Sequence, residues 1–220
     1  MPIPPSGARA ALAEALALLF PTWCAGCDLP GVSLCADCAL ALVPDLRVRR
    51  LADGLRVHSA LAFEGVPARV VRALKEDGRT SLARPLGAAL AAAVGAADPD
   101  GDVHIVPVPT SRAALRRRGY RVTELVAVRA GLTPERRLLA AAQAADQRGL
   151  GRAERAANVS GTMRARDAAG LRILLVDDVV TTGATLAEAA RTLREGGAEV
   201  VAAATVAATP RHGILTARRA

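Results

Sequence analysis

Aromatic residues are scarce: two Phe, one Tyr and one Trp in a chain of 220 residues. That excludes a core built on ring packing, and a surface that interleaves aromatic and basic side chains to stack bases. Long apolar runs are missing too. No window holds about 18 uncharged apolar residues, so no transmembrane helix is expected. Lysine is almost absent: of 29 basic residues only Lys75 is a lysine, which makes that position stand out. Ala10 to Phe20 comes nearest to the apolar part of a signal peptide. Glu14 interrupts it, so it reads as a short amphipathic helix ending at Pro21, and the cytoplasm is the expected location.

What is present is apolar, aliphatic and basic. Hydrophobic residues make up 51% of the chain, enough for one ordinary domain with a core of Ala, Val and Leu, plus a small appendage. The formal net charge of +8 favours anionic partners such as phosphates, nucleotides or nucleic acid. The charges are spread along the chain, with no dense basic arm.

All four cysteines lie in Cys24-x2-Cys27-x7-Cys35-x2-Cys38. Two C-x-x-C pairs can wrap one tetrahedral metal, each forming a knuckle whose N–H groups stabilise thiolate. Gly26 suits the tight turn of the first knuckle. Four thiolates leave no open position for water, so the expected role is structural, in a segment too small to hold its own core. Zinc is the expected ion, with iron still open. Two disulfides or a redox pair are the rivals, and no secretion signal favours them.

Leu171 to Thr185 reads L-R-I-L-L-V-D-D-V-V-T-T-G-A-T. Ile173 to Val176 has the composition of a strand buried on both faces. Two carboxylates follow, Asp177 and Asp178, then Val179, Val180 and a Thr-rich turn. Leu186 to Glu195 has helical spacing, and Gly196-Gly197 stops it. Val200 to Val206 reads as a second buried strand, parallel to the first. The turn therefore joins the carboxyl end of a strand to the amino end of a helix, where free N–H groups and the helix dipole favour an anion. Thr181, Thr182 and Thr185 add hydroxyl donors, and Gly183 allows close backbone approach. Asp177 and Asp178 suit a vicinal diol or a divalent cation. A diol beside a phosphate cradle points to a ribose 5-phosphate. The loop lacks the lysine of a P-loop and the glycines of a dinucleotide fingerprint. No Asp follows Asp178, which argues against a receiver domain.

V-D-D-V-V-T-T-G-A-T closely resembles the phosphoribosyl-pyrophosphate (PRPP) motif of type I phosphoribosyltransferases. The resemblance implies that Asp177 and Asp178 hold the ribose hydroxyls. It implies that the loop Val179, Val180, Thr181, Thr182, Gly183, Ala184 and Thr185 holds the 5-phosphate. The expected fold is α/β, a central mostly parallel sheet flanked by helices, with a small amino-terminal four-cysteine zinc module. The expected reaction displaces pyrophosphate from the anomeric carbon of PRPP with Mg²⁺ as cofactor; the acceptor is not identifiable, which leaves open a protein that binds PRPP or a nucleotide without turnover, or a DNA-binding adaptor that uses the cysteine module and basic charge.

Earlier segments add to this. Val43 to Asp53 reads as a linker, Val57 to Phe63 as an edge strand, and Pro67 to Leu74 and Leu82 to Val94 as helices. Val103 to Val108 reads as a buried strand that prolines should end by Val106. After it, Pro109, Thr110, Ser111 and Arg112 form a second loop at a strand's carboxyl end. Arg116, Arg117 and Arg118 follow, with Arg112 and Arg116 on one helical face, placing positive charge suited to pyrophosphate. Pro-Val-Pro with Arg118-Gly119-Tyr120 resembles the ComF family, the competence-associated branch of these enzymes. That family also carries an amino-terminal helix and a cysteine knuckle pair. It reads Arg-Gly-Phe-Asn-Gln where this chain has Arg121 and Val122 in the last two places. Its Leu-Lys-aromatic-x-Gly segment is altered here to Leu74-Lys75-Glu76-Asp77-Gly78. Glu135 to Ala142 reads as a short strand, and Asp146 to Gly161 as a loop with a helical start. Gln147, Leu150, Arg155 and Asn158 match the family's Q-x2-L-x4-R-x2-N. In type I enzymes the matching region folds over the site, which implies a lid, with Gln147 and Arg155 serving the pyrophosphate. The implied organisation is a helix and cysteine module over 1–45, a phosphoribosyltransferase-like domain over 46–209 and a basic tail over 210–220. Implied partners are PRPP, an acceptor, and DNA-uptake proteins or single-stranded DNA.

Overall fold

The computed structural model describes residues 22–98, 100–140 and 163–210. The expectations for Ala10 to Phe20, for the Asp146 to Gly161 segment with Gln147 and Arg155, and for the tail lie outside these residues.

The central sheet has five strands in the order β1-β2-β7-β6-β3. These are β1 (Arg47–Arg50), β2 (Arg56–Ala62), β3 (His104–Pro107), β6 (Arg172–Val180) and β7 (Glu199–Ala208). Strands β2, β7, β6 and β3 run parallel, and only β1 is antiparallel to its neighbour. A short antiparallel pair, β4 (Leu138–Ala140) with β5 (Met163–Ala165), stands apart.

Alternation along β6 builds two cores. Leu174 and Val176 join one buried cluster with Val70, Leu74, Leu86, Leu90, Val122 and Val126. Those six lie on α2 (Gly65–Glu76), α3 (Ala83–Ala97) and α5 (Val122–Arg129). Ile173 and Leu175 face the other way, against Leu186 and Leu193 of α6 (Ala184–Glu195), Leu138 and Met163. A strand covered on both faces must be apolar at every position, which is why its first half reads as a continuous hydrophobic run. The cysteine segment, with α1 (Ala36–Leu40), is not separate from this core: Ala25 and Leu42 belong to the first cluster. Thr80–Ala97, a 3-10 turn running into α3, is long and apolar enough to cross a bilayer by composition. Here α3 packs on β2, β7 and α5.

Several expectations change. The supposed linker contains β1, whose charged residues lie on an exposed sheet edge where no apolar pattern is needed. That moves β2 from the edge to second place. Strand β6 runs four residues beyond Val176, so the two aspartates sit within the strand, not after it. β3 includes Pro107, which is tolerated because β3 is the outer strand of the sheet. The seven-residue α4 (Arg112–Arg118) buries none of its residues. Helix α5 was not foreseen; it is short, and only Val122, Thr123, Val126 and Ala127 are buried.

Helices α3 and α5 meet at Gly87. A Cβ there would lie 2.7 Å from the Arg129 carbonyl carbon and 2.8 Å from the Ala130 nitrogen. Both are backbone atoms and cannot swing aside. Gly87→Ala should therefore cost about 1–3 kcal/mol despite alanine's better helix propensity, read as a lower urea midpoint at unchanged slope.

Candidate functional site

Parallel strands bring their carboxyl ends to one side of the sheet. Pro107 of β3 pairs with Val176 of β6, and the Val108 N–H donates to the Val176 carbonyl at 2.9 Å. The loop after β3 therefore emerges beside Asp177 and Asp178.

The two carboxylates have separate partners. Lys75 Nζ donates to Asp178 Oδ1 at 2.7 Å, with both side chains largely withdrawn from solvent. Asp177 Oδ1 accepts from the Asp178 N–H at 2.8 Å and from Thr123 Oγ1 at 3.4 Å. Burial, and then the charge of Asp178, push the Asp177 carboxyl up to about 7, against the pull of the Asp178 N–H, Lys75 and Thr123. Lys75 sits in the last turn of α2, where a cation also suits the helix dipole. The Tyr120 hydroxyl donates to the Leu74 carbonyl next to it, tying that turn to the link between α4 and α5. The Tyr120 hydroxyl makes this bond, and a phenylalanine there would lack it.

The turn after β6 is three residues long, Thr181 to Gly183. Gly183 has φ +89° and caps α6, and a Cβ on it would fall 2.5 Å from Leu51 Cδ2. Both constraints demand glycine. The Ala184 N–H donates to Thr182 Oγ1 at 3.3 Å. The N–H groups of Thr181, Thr182 and Gly183 donate to nothing among the described residues. Thr181, Thr182 and Thr185 are exposed, as an anion cradle requires. Val180, expected at the loop, instead places its side chain in the second core, and Val179 packs against the first.

In the second loop, Ser111 caps α4 by accepting from the Ala114 N–H at 3.2 Å. Pro109, Thr110 and Arg112 line a 260 Å³ cleft with Arg121, Glu124 and Arg136. Arg118 is partly buried at the end of α4. Arg121 and Val122 have structural work here. Arg121 precedes α5 and pairs with Glu124 at 3.4 Å, which Arg136 also grips at 2.7 Å. Val122 is buried in the first core. Thr123, Tyr120 and Arg49 were missed as site residues. Arg49 Nη1 donates to the Thr181 carbonyl at 2.9 Å.

The four cysteine sulfurs lie within 4.8 Å of one another and can hold a metal ion. Cys24 Sγ accepts from the Gly26 and Cys35 N–H groups at 3.4 and 3.3 Å. Burial raises the Cys24 thiol, but N–H groups of Cys35, Gly26 and Cys27 outweigh it and bring the thiol down to about 6. Burial and the neighbouring thiols push Cys38 upward. A cation would relieve that mutual opposition, so the donor set fits a metal. Gly26 is needed for close approach: a Cβ would lie 2.4 Å from Cys38 Sγ. The left-handed residue of the knuckle is Asp28, with φ 63°. Arg79 clamps the module by donating to the Trp23 and Ser33 carbonyls at 2.5 and 2.8 Å.

Paired carboxylates beside an open anion cradle, at the carboxyl end of a parallel sheet, suit a phosphorylated polyol. Residues 117–215, which contain both, match the phosphoribosyl transferase domain family. An adenine phosphoribosyltransferase of Mycobacterium avium (strain 104) is 60% identical over 40 residues, which is 18% of this chain and 22% of that protein. The chain thus spans less than a quarter of the length of the curated relatives it matches. Among solved structures, an adenine phosphoribosyltransferase of Saccharomyces cerevisiae is similar at TM-score 0.39 and 18% identity, over 79% of this chain and 89% of that one. An orotate phosphoribosyltransferase of Aeropyrum pernix is similar at TM-score 0.32 and 20% identity, over 77% of each chain.

The Asp177 shift has a consequence for stability. Its folded value lies above the unfolded one, so between about pH 4 and 7 the native state binds more protons. Stability from this group is present at low pH and lost as pH rises through about 7. Asp177→Asn should remove on the order of 2 kcal/mol of that decline, measured by urea unfolding at acidic and alkaline pH.

Proposed function

We propose that this chain binds PRPP and transfers its phosphoribosyl group to an acceptor, releasing pyrophosphate. The observation that carries this reading is the β6–α6 junction. Asp177, Asp178 and the open Thr181–Gly183 N–H groups follow one another there, inside the segment that matches the phosphoribosyl transferase domain family.

In this reading Asp177 and Asp178 accept hydrogen bonds from the ribose hydroxyls, and Thr181 to Thr185 donate to the 5-phosphate. Pro109 to Arg112 and Arg118 face the pyrophosphate. Gln147 and Arg155 join them by resemblance alone. The bond from the anomeric carbon to pyrophosphate breaks as the acceptor's nucleophile bonds to that carbon, and the acceptor gives up its proton. Positive charge develops on the ribose. The carboxylates stabilise it and the arginines neutralise the leaving group, so positioning and electrostatics carry the catalysis. Mg²⁺, which takes oxygen ligands, would arrive coordinated by PRPP and offset part of the pyrophosphate charge.

PRPP binding without transfer is the second reading. In its favour, the aromatic side chains among the described residues are Trp23, Phe63 and Tyr120, and none lies on the loops after β3 or β6 to stack an acceptor base. We further infer a structural zinc at Cys24, Cys27, Cys35 and Cys38. The docking of this module on the domain supports membership of the ComF family and a role in DNA uptake or use. Free, clustered thiols fit the reducing cytoplasm.

Titration calorimetry with Mg²⁺-PRPP should show binding that Asp177→Asn with Asp178→Asn weakens roughly a hundredfold, as expected for losing charge-assisted bonds. Equal affinity in the double variant would sink the proposal. A PRPP-consumption screen against amines and bases then separates transfer from binding alone. Elemental analysis should find one zinc ion per chain, with chelation lowering the melting temperature.

A further inference from the structure

The β1–β2 hairpin is remote in sequence from the turn after β6, yet it grips that turn. Arg49 Nη1 donates to the Thr181 carbonyl at 2.9 Å, a contact spanning 132 residues. The Nε and Nη2 atoms of Arg49 are buried. Leu51, itself 7% exposed, fills the space a Gly183 side chain would take. Beyond Leu51, Asp53 Oδ2 accepts from Arg194 Nη1 at 3.0 Å, which fastens the hairpin tip to α6 as well. The opposite Asp53 oxygen, Oδ1, accepts from the Leu55 N–H at 3.1 Å and so holds the tip in shape.

The Thr181 carbonyl and the Thr182 N–H belong to one planar trans peptide, so fixing the carbonyl fixes the N–H in the opposite direction. A donor on the carbonyl also polarises the peptide and makes its N–H a stronger donor. The Thr182 N–H is one of the three open donors of the cradle. A cation behind the peptide adds to the positive potential felt by an anion in front of it.

We infer that Arg49 is a positioning residue of the phosphate cradle: it orients the Thr181–Thr182 peptide so that the Thr182 N–H meets the phosphate of a ribose 5-phosphate group. Leu51 sets the distance of the same turn from the hairpin. This rests on the ribose-phosphate reading of the site. The hairpin is thereby part of the ligand-binding apparatus.

Calorimetry on the full chain tests this with two probes, ribose 5-phosphate and inorganic pyrophosphate. Arg49→Met should weaken ribose 5-phosphate roughly tenfold, the value of one charge-assisted hydrogen bond, and leave pyrophosphate within about twofold. Arg49→Lys, which can still donate to the carbonyl, should recover part of the loss. The Thr182 amide resonance should shift in Arg49→Met, with hydrogen exchange of the β6 amides unchanged, a readout independent of any ligand. Unaltered ribose 5-phosphate affinity in Arg49→Met would overturn the inference, as would equal loss of both probes with faster exchange throughout β6. A wild-type chain that fails to bind ribose 5-phosphate would instead overturn the underlying reading of the site and this inference with it.

Discussion

The ion pair between Lys75 and Asp178 permits two neighbouring carboxylates at the end of a strand buried on both faces. Without a cation, adjacent acidic groups in that setting repel each other and lose hydration together. The pairing makes the rest of the fold accountable for where Lys75 stands. It projects from the last turn of α2, and Tyr120 holds that turn from the next layer of chain. Tyr120 in turn leads into α5, whose Thr123 reaches Asp177. Helix α5 keeps its place because Gly87 lets α3 come against its end. A contact between two side chains thus extends through three helices.

The cradle is supported from the opposite core. Asp178 is stabilised from the α2–α3–α5 side, whereas Gly183 and Thr181 are held by Leu51 and Arg49 of the β1–β2 hairpin. The carboxylate pair and the turn after β6 therefore answer to different parts of the structure. The loop after β3 is tied in by the ladder to Val176. The cleft beyond it carries its own balance of Arg121, Glu124 and Arg136.

Much of this was legible in the sequence because chemistry and periodicity coincide there. The β6–turn–α6–β7 unit combines a two-sided apolar run, a glycine that cannot be replaced, and a helix with clear spacing. The spacing of the four cysteines foretold their convergence within 4.8 Å. What was missed lacks a local signal. Strand β1 is Arg-Val-Arg-Arg on a sheet edge, so nothing alternates to reveal it. Gly26 reads as a turn residue, yet its reason is the sulfur of Cys38 on another segment. The contact of Arg49 with Thr181 joins residues 132 positions apart, and no pattern along the chain announces it. The end of β6 was misjudged because aspartates are poor strand formers; pairing with Ala207 and Ala208 of β7 carries the ladder through Val179 and Val180 regardless.

The scarcity of rings has an optical consequence. The chain has one tryptophan, Trp23, next to Cys24 and half exposed, with its carbonyl under Arg79. Its one tyrosine, Tyr120, is bonded to the residue before Lys75. The two chromophores are divided between the cysteine module and the edge of the carboxylate site. Emission excited at the red edge of absorption comes from Trp23 alone, so it reports on the seating of the cysteine module. Tyrosine signals report on the last turn of α2 beside Lys75, so the cysteine module and the carboxylate pair each have their own spectral reporter.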